Sequence, residues 1–275
     1  MADRFVRVKT AQGQVHYGLL ELNQSVQLYT AAPWAGGSPT TKLLAPDTYQ
    51  LLAPCEPSKI IAVGKNYADH AAEMGGTVPE EPLLFFKPTS AILPPDGTIL
   101  LPPQSEQVEY EGELALVIGN TCSNCLPKQA LGAIWGYTIA NDVTARDLQR
   151  RDDQWTRAKG FDTFCPLGPW VVRDISPTAL LQTFLQGNKK ALQSQTVDRM
   201  VFTPEFLVAY ISQIMTLYPG DVILTGTPEG VGSLSAGDSI YIEIEGIGKL
   251  HNNVALRNPL PVEPELDDDI SQNLV

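Results

Sequence analysis

From Arg4 to Thr30, apolar residues recur at every second position: Val6 and Val8, Tyr17 and Leu19, Val26 and Leu28. Period two is the repeat of a half-buried strand, and the Gly, Gln and Asn residues between the runs supply turns. A small β-meander is expected here. Pro33 to Thr40 is rich in Gly, Pro, Ser and Thr, and Pro54 to Pro57 makes a second break. These breaks place a domain boundary near residue 52.

Beyond the boundary the period switches between two and 3.6. Strands are expected at Lys59–Val63, Pro82–Lys87, Gly112–Ile118, Trp135–Ala140, Trp170–Arg173, Thr183–Gln186, Asp221–Thr225, Ser239–Glu245 and Leu250–Leu256. Helices are expected at Asn66–Met74, closed by Gly75-Gly76, at Pro127–Ile134, at Asn141–Arg151 with Asn141 as N-cap, and at Thr203–Met215 with Thr203 as cap and Pro204 in the first turn. No internal repeat is found. The pattern is that of a β-rich α+β protein.

Composition sharpens this. The chain has 275 residues, 43% of them hydrophobic and 18% charged, which suffices for a sizeable core. The net charge of −12, with no Lys/Arg run, argues against a nucleic-acid partner. Five of those charges fall in Val262–Val275 (Glu263, Glu265, Asp267, Asp268, Asp269), which reads as an acidic flexible tail over 262–275. No apolar run is long enough to span a bilayer, and Met1–Thr10 lacks the core of a signal peptide, so a cytoplasmic location without membrane contact is expected. Four cysteines make no disulfide framework, and the lone Cys122-x-x-Cys125 reads as incidental.

Two acidic features carry candidate chemistry. Glu109, Glu111 and Glu113 alternate along an apolar strand, which puts them on one face, where they repel unless a cation or proton compensates. A solvent-facing strand edge is the ordinary alternative, but the apolar continuation Leu114–Ile118 speaks for burial. Asp142, Arg146 and Gln149 stand at i, i+4 and i+7, one face of a helix; alone, a surface ion pair would explain them. Together the two features suit a hard divalent cation such as Mg²⁺ or Mn²⁺. A zinc site would need His or Cys, and the three histidines, His16, His70 and His251, are far apart.

These residues resemble the fumarylacetoacetate hydrolase family. The segment Tyr110–Gly119 is similar to its acidic metal strand, and Asn141–Asp147 to its second metal motif. Val63–His70, Lys159–Pro169 and Thr225–Gly232 follow in the family's order and spacing, so the resemblance covers roughly residues 55–256. It implies a mixed β-roll catalytic domain over 53–261, preceded by a small N-terminal β-domain over 1–52, and a homodimer. It implies Mg²⁺ or Mn²⁺ on Glu111, Glu113 and Asp142, with a small 2-oxo acid as the substrate that chelates the metal. Glu109 matches a position that is not a ligand, and Gly160 stands where Ser or Thr is common.

The resemblance also implies roles for other residues. His70 and Glu73 match a catalytic pair on a mobile lid, where Glu73 orients the imidazole and His70 activates a water. Lys159 matches a lysine near the bound substrate. Arg146 and Gln149 would orient the distal substrate, Thr227 would hold its carboxylate through hydroxyl or backbone N–H, and Lys87 would support the site. A chelated 2-oxo acid enolises readily. Acylpyruvate hydrolysis or oxaloacetate decarboxylation is therefore the leading expectation. Oxaloacetate keto–enol tautomerisation or isomerisation of a 2-hydroxy-diene-dioate stands beside it, because Trp155–Pro169 and Tyr218–Asp221 resemble isomerase members. A non-catalytic binding module is the remaining alternative, against which His70, Glu73 and Lys159 argue together.

Overall fold

The computed structural model describes residues 2–258; the acidic tail lies outside the described residues. The expected meander is present as Arg4–Thr10, Val15–Leu20 and Val26–Tyr29, all antiparallel. Two more strands extend it. Pro39–Leu44 pairs with Val26–Tyr29, and Tyr49–Leu52 returns to Arg4–Thr10. Both escape the apolar pattern because no residue of either is fully buried. The loop between them and the meander is anchored by buried Trp34, whose ring meets Tyr17 at 5.5 Å and Trp135 at 5.3 Å.

Phe5 pairs with Val171, so the N-terminal strands are hydrogen-bonded into the main sheet. That sheet runs on through Cys165–Val172, Ile134–Asn141, Gly112–Ile118, Val222–Leu224, Ile60–Gly64 and Leu83–Lys87. Neighbours along this path are antiparallel except Val222–Leu224 beside Ile60–Gly64. All seven residues of Gly112–Ile118 are buried. Leu114, Leu116 and Ile118 face one core with the helices Pro127–Ala133 and Pro204–Ile214. Ala115 and Val117 face the other, with Phe5 and Trp34. A strand covered on both sides shows a continuous apolar run, which is what the sequence displays. A second sheet is formed by Gln193–Thr196, Leu180–Leu185, Ser239–Ile244, Gly248–Leu256 and Thr98–Leu101. No helix among the described residues is long and apolar enough to cross a membrane.

The structure corrects two helices. The first is Ala68–Glu73, entered from extended Tyr67. Asn66 stays outside it, its side chain bonded to the Phe202 backbone on both sides and to Thr225 O. The second is only Arg146–Arg151. Asn141 is not an N-cap but the last residue of a strand, its Oδ1 accepting from Glu111 N at 2.9 Å. Asp142 therefore lies in the turn between that strand and Thr144–Ala145, not on a helix face. Thr203 stands at the start of Pro204–Ile214 in extended backbone, but its hydroxyl makes no capping bond.

Cys122 and Cys125 are paired with each other, so this C-x-x-C is a local link and not two unrelated thiols. It closes a turn tied to the end of Pro204–Ile214 through Cys125 N to Ser212 Oγ, 2.9 Å, and Cys122 N to Leu217 O, 3.0 Å. Cys55 and Cys165 are buried thiols; burial pushes Cys165 up to about 12.

Candidate metal centre

Strand register brings the carboxylates together. Glu111 occupies the break between Val108–Tyr110 and Gly112–Ile118, and Glu113 follows the break. Gly112 pairs with Asn141 and Glu113 with Ala140, while Asp142 N donates to Glu111 O at 2.9 Å. Glu111, Glu113 and Asp142 each offer an oxygen, all within 4.8 Å of one another, and all three residues are buried. Glu109 is turned away by the same break, toward Arg146 Nε at 2.7 Å and Gln107 Nε2 at 2.6 Å. The single face expected for the three glutamates is thus divided.

Gly112 is required at this break. A β-carbon there would lie 2.4 Å from Thr183 Oγ1 and 3.1 Å from Gln193 Oε1, an overlap that the two side chains cannot absorb. Gln193, fully buried, accepts from Gly112 N and Thr183 Oγ1 and donates to Thr227 Oγ1 and Pro228 O. It clamps the acidic break to the Thr225–Pro228 turn. Sequence reasoning missed it, because nothing in the polar run Gln193-Ser194-Gln195 marks one of its side chains as buried.

Three buried cations answer the acids. Lys87 Nζ donates to Asp142 Oδ1 at 2.6 Å, Lys159 O at 2.7 Å and Val143 O at 3.3 Å. Lys159 Nζ donates to Asp142 Oδ2 at 2.6 Å and Glu111 Oε2 at 2.9 Å, with the Phe85 ring 4.9 Å away. Arg146 reaches Glu109, Glu111 and Gln149 Oε1. The pairing of Asp142 with Arg146 that helical spacing suggests does not form. Burial pushes Lys159 down, but Asp142 and Glu111 outweigh it and hold the ammonium above the ordinary lysine range. For Glu111 burial pushes up, and Lys159 and Arg146 outweigh it, so its carboxyl is held well below the usual range.

Glu113 is the exception. Among the described residues, the only hydrogen bond to its carboxylate comes from Gly226 N at 2.7 Å. Burial, then Asp142 and Glu111, raise its pKa well above the ordinary value. A buried carboxylate beside two others, with no ion-pair partner of its own among the described residues, is a place where a cation lowers the energy. The donors are hard oxygens with lone pairs to spare, so the residues present fit Mg²⁺ or Mn²⁺.

A cleft of about 180 Å³ opens over these groups. His70 lines it and is 5% exposed. Its Nδ1 lies 3.0 Å from Glu73 Oε2; a carboxylate only accepts, so Nδ1 donates and Nε2 is left for the cleft. Glu73 Oε1 accepts from Gly230 N at 3.0 Å, which ties the short helix to the Thr225–Gly232 loop. Thr227 also lines the cleft, but its hydroxyl donates to Gly112 O and accepts from Gln193, so its backbone N–H is the group left for a ligand. Arg146 and Gln149 reach the cleft too, with the guanidinium already engaged by three acceptors. All ten residues singled out from the sequence thus fall in or directly around one site, with Lys87 behind Asp142 and Glu73 behind His70.

Comparison with known proteins identifies the family. Residues 59–255 match the family model for the fumarylacetoacetate (FAA) hydrolase C-terminal region, and residues 3–54 match the Rv2993c-like N-terminal model. The chain belongs to the fumarylacetoacetate hydrolase family and carries both parts. Protein Rv2993c of Mycobacterium tuberculosis is 52% identical over 74% of this chain and 78% of its own length. The mitochondrial oxaloacetate tautomerase FAHD2A of Bos taurus is 44% identical over 74% of this chain and 68% of its own. Among solved structures, 5-carboxymethyl-2-hydroxymuconate delta-isomerase from Mycobacterium smegmatis superposes with a TM-score of 0.85 at 43% identity, covering 92% of this chain and all of that one. Fumarylpyruvate hydrolase from Pseudomonas aeruginosa, in complex with Mn²⁺ and pyruvate, gives 0.69 at 33% identity, over 76% and 92%.

Proposed function

We propose that the protein is a Mg²⁺- or Mn²⁺-dependent enzyme that enolises a small 2-oxo acid, with keto–enol tautomerisation or double-bond isomerisation as its reaction. The observation that carries this is the convergence of Glu111, Glu113 and Asp142 at the floor of one cleft that His70 also lines. A divalent cation held there supplies Lewis-acid polarisation of the 2-keto group. Lys87 and Lys159 hold Asp142 in place from two sides, so the ligand geometry is set before substrate arrives. The Thr227 N–H donates to a substrate oxygen. His70 exchanges the proton at Nε2 while Glu73 fixes the ring through Nδ1. Relatives named as a tautomerase and an isomerase favour this reaction over the hydrolysis or decarboxylation expected first.

The second reading is hydrolysis of an acylpyruvate C–C bond. The His70–Glu73 pair favours it, because a positioned base is what activation of water requires. One assay tests both: loss of enol or diketone absorbance over oxaloacetate, acetylpyruvate and fumarylpyruvate, with Mg²⁺, with Mn²⁺ and with chelator. Enol–keto exchange of oxaloacetate without cleavage of the other two supports the first reading. Metal-dependent cleavage supports the second, and equal rates in chelator reject both.

A further inference from the structure

We infer that Lys65, assisted by Arg150, receives a second carboxylate at the far end of the substrate, so that the cleft selects 2-oxo diacids over 2-oxo acids with an uncharged tail. This rests on the reading of the cleft as a 2-oxo-acid site. Five basic side chains line or support it. Lys87, Lys159 and Arg146 are engaged with buried carboxylates at the floor. Lys65 and Arg150 line the same cleft, and neither has an acidic partner within ion-pair distance among the described residues. Arg150 donates to a neutral acceptor, Gln107 Oε1, at 2.6 Å; Lys65 Nζ has no hydrogen-bond acceptor among the described residues.

The placement of Lys65 is imposed by its surroundings. Its backbone is left-handed, with φ 57°, a conformation uncommon for a long side chain. The next residue, Asn66, is fixed by three bonds to Phe202 and Thr225, which hold the chain in that path. The half-buried side chain then runs toward the loop that ends the His70–Glu73 helix. A β-carbon built at Gly76 would lie 3.1 Å from Lys65 Nζ, which puts the ammonium beside that loop. A half-buried ammonium with no protein acceptor is left to solvent, and an arriving carboxylate supplies a charged acceptor that the protein does not. In a chain of net charge −12 such local cations are also what draws a dianion in.

The test is calorimetric binding to the Mn²⁺-loaded protein of two matched pairs: oxaloacetate against 2-oxobutyrate, and 2-oxoglutarate against 2-oxovalerate. Each pair differs in the distal carboxylate alone. Wild type should prefer at least one diacid. Lys65→Met should weaken that diacid about tenfold or more, the usual worth of a charge-assisted hydrogen bond, and its monoacid less than twofold. Lys65→Arg should keep the preference, and Arg150→Met should reduce it less because that side chain is exposed. Equal weakening of diacid and monoacid, or no preference in wild type, overturns the inference. Selective diacid binding without turnover of any 2-oxo acid upholds Lys65 as the carboxylate site and rejects the enzymatic reading.

Discussion

Lys87 Nζ donates to Asp142 Oδ1 across 2.6 Å, joining two buried residues 55 positions apart in the sequence. The same ammonium bonds two backbone carbonyls, so all three of its protons are used. Lys87→Met removes a compensating charge without opening a large cavity. Loss of one partner of a buried pair costs about 3–5 kcal/mol. We expect a loss of that order in urea denaturation of the metal-free protein, together with weaker Mn²⁺ binding. An unchanged midpoint would show that Lys159 alone compensates Asp142.

Glu113 should contribute a pH dependence of definite sign to the metal-free protein. Its folded pKa is raised by burial, Asp142 and Glu111, so the folded state binds the proton more tightly than the unfolded chain. Its stabilising contribution is present below the ordinary value of 4.5 and is lost as pH rises toward the folded value. Glu111 has the opposite sign, and its contribution is already complete above 4.5. Thermal melts of chelator-treated protein should therefore fall as pH rises from 4.5. Glu113→Gln should flatten that slope and abolish Mn²⁺ binding. A slope unchanged in the variant would assign it to other groups.

The His70→Ala variant tests whether the two reactions share one proton path. Cleavage needs an activated water, whereas enol–keto exchange needs only a proton donor and acceptor. His70→Ala should lower C–C cleavage about a hundredfold or more, the usual contribution of a positioned acid–base group. If Lys159 or a water carries the exchange proton, oxaloacetate tautomerisation should fall less. Both rates are to be measured on the same variant at saturating Mg²⁺. Equal losses would place His70 on the proton path of both reactions; no loss would remove it from the chemistry.

We also expect the protein to be a homodimer, as the family resemblance implies. Light scattering at micromolar concentration should return twice the mass of the chain. A monomer throughout that range would reject the expectation.

The three candidate acids are legible before the fold because their chemistry survives a wrong local structure. Helical spacing puts Asp142 on a helix from Asn141, yet it stands in a turn after a strand. What mattered was its register beside Glu111, and the family motif carried that information while the helical period did not. Elements with a buried stripe, such as Gly112–Ile118 and Pro204–Ile214, were found close to their true bounds. The half-exposed strands Pro39–Leu44 and Tyr49–Leu52 were not, since neither presents a face that burial makes apolar.

By itself the sequence determined the β-rich class, the family and the ten candidate residues, because apolar period and motif order are local properties. Only the tertiary structure decided how those residues are paired. It gave Asp142 to Lys87 and Lys159, Arg146 to the two glutamates, and the Thr227 hydroxyl to Gly112 and Gln193. It left Glu113 and Lys65 without a charged partner among the described residues. Pairing depends on distances between strands remote in the chain, and buried charges have strong but short-ranged preferences among neighbours that no local pattern encodes.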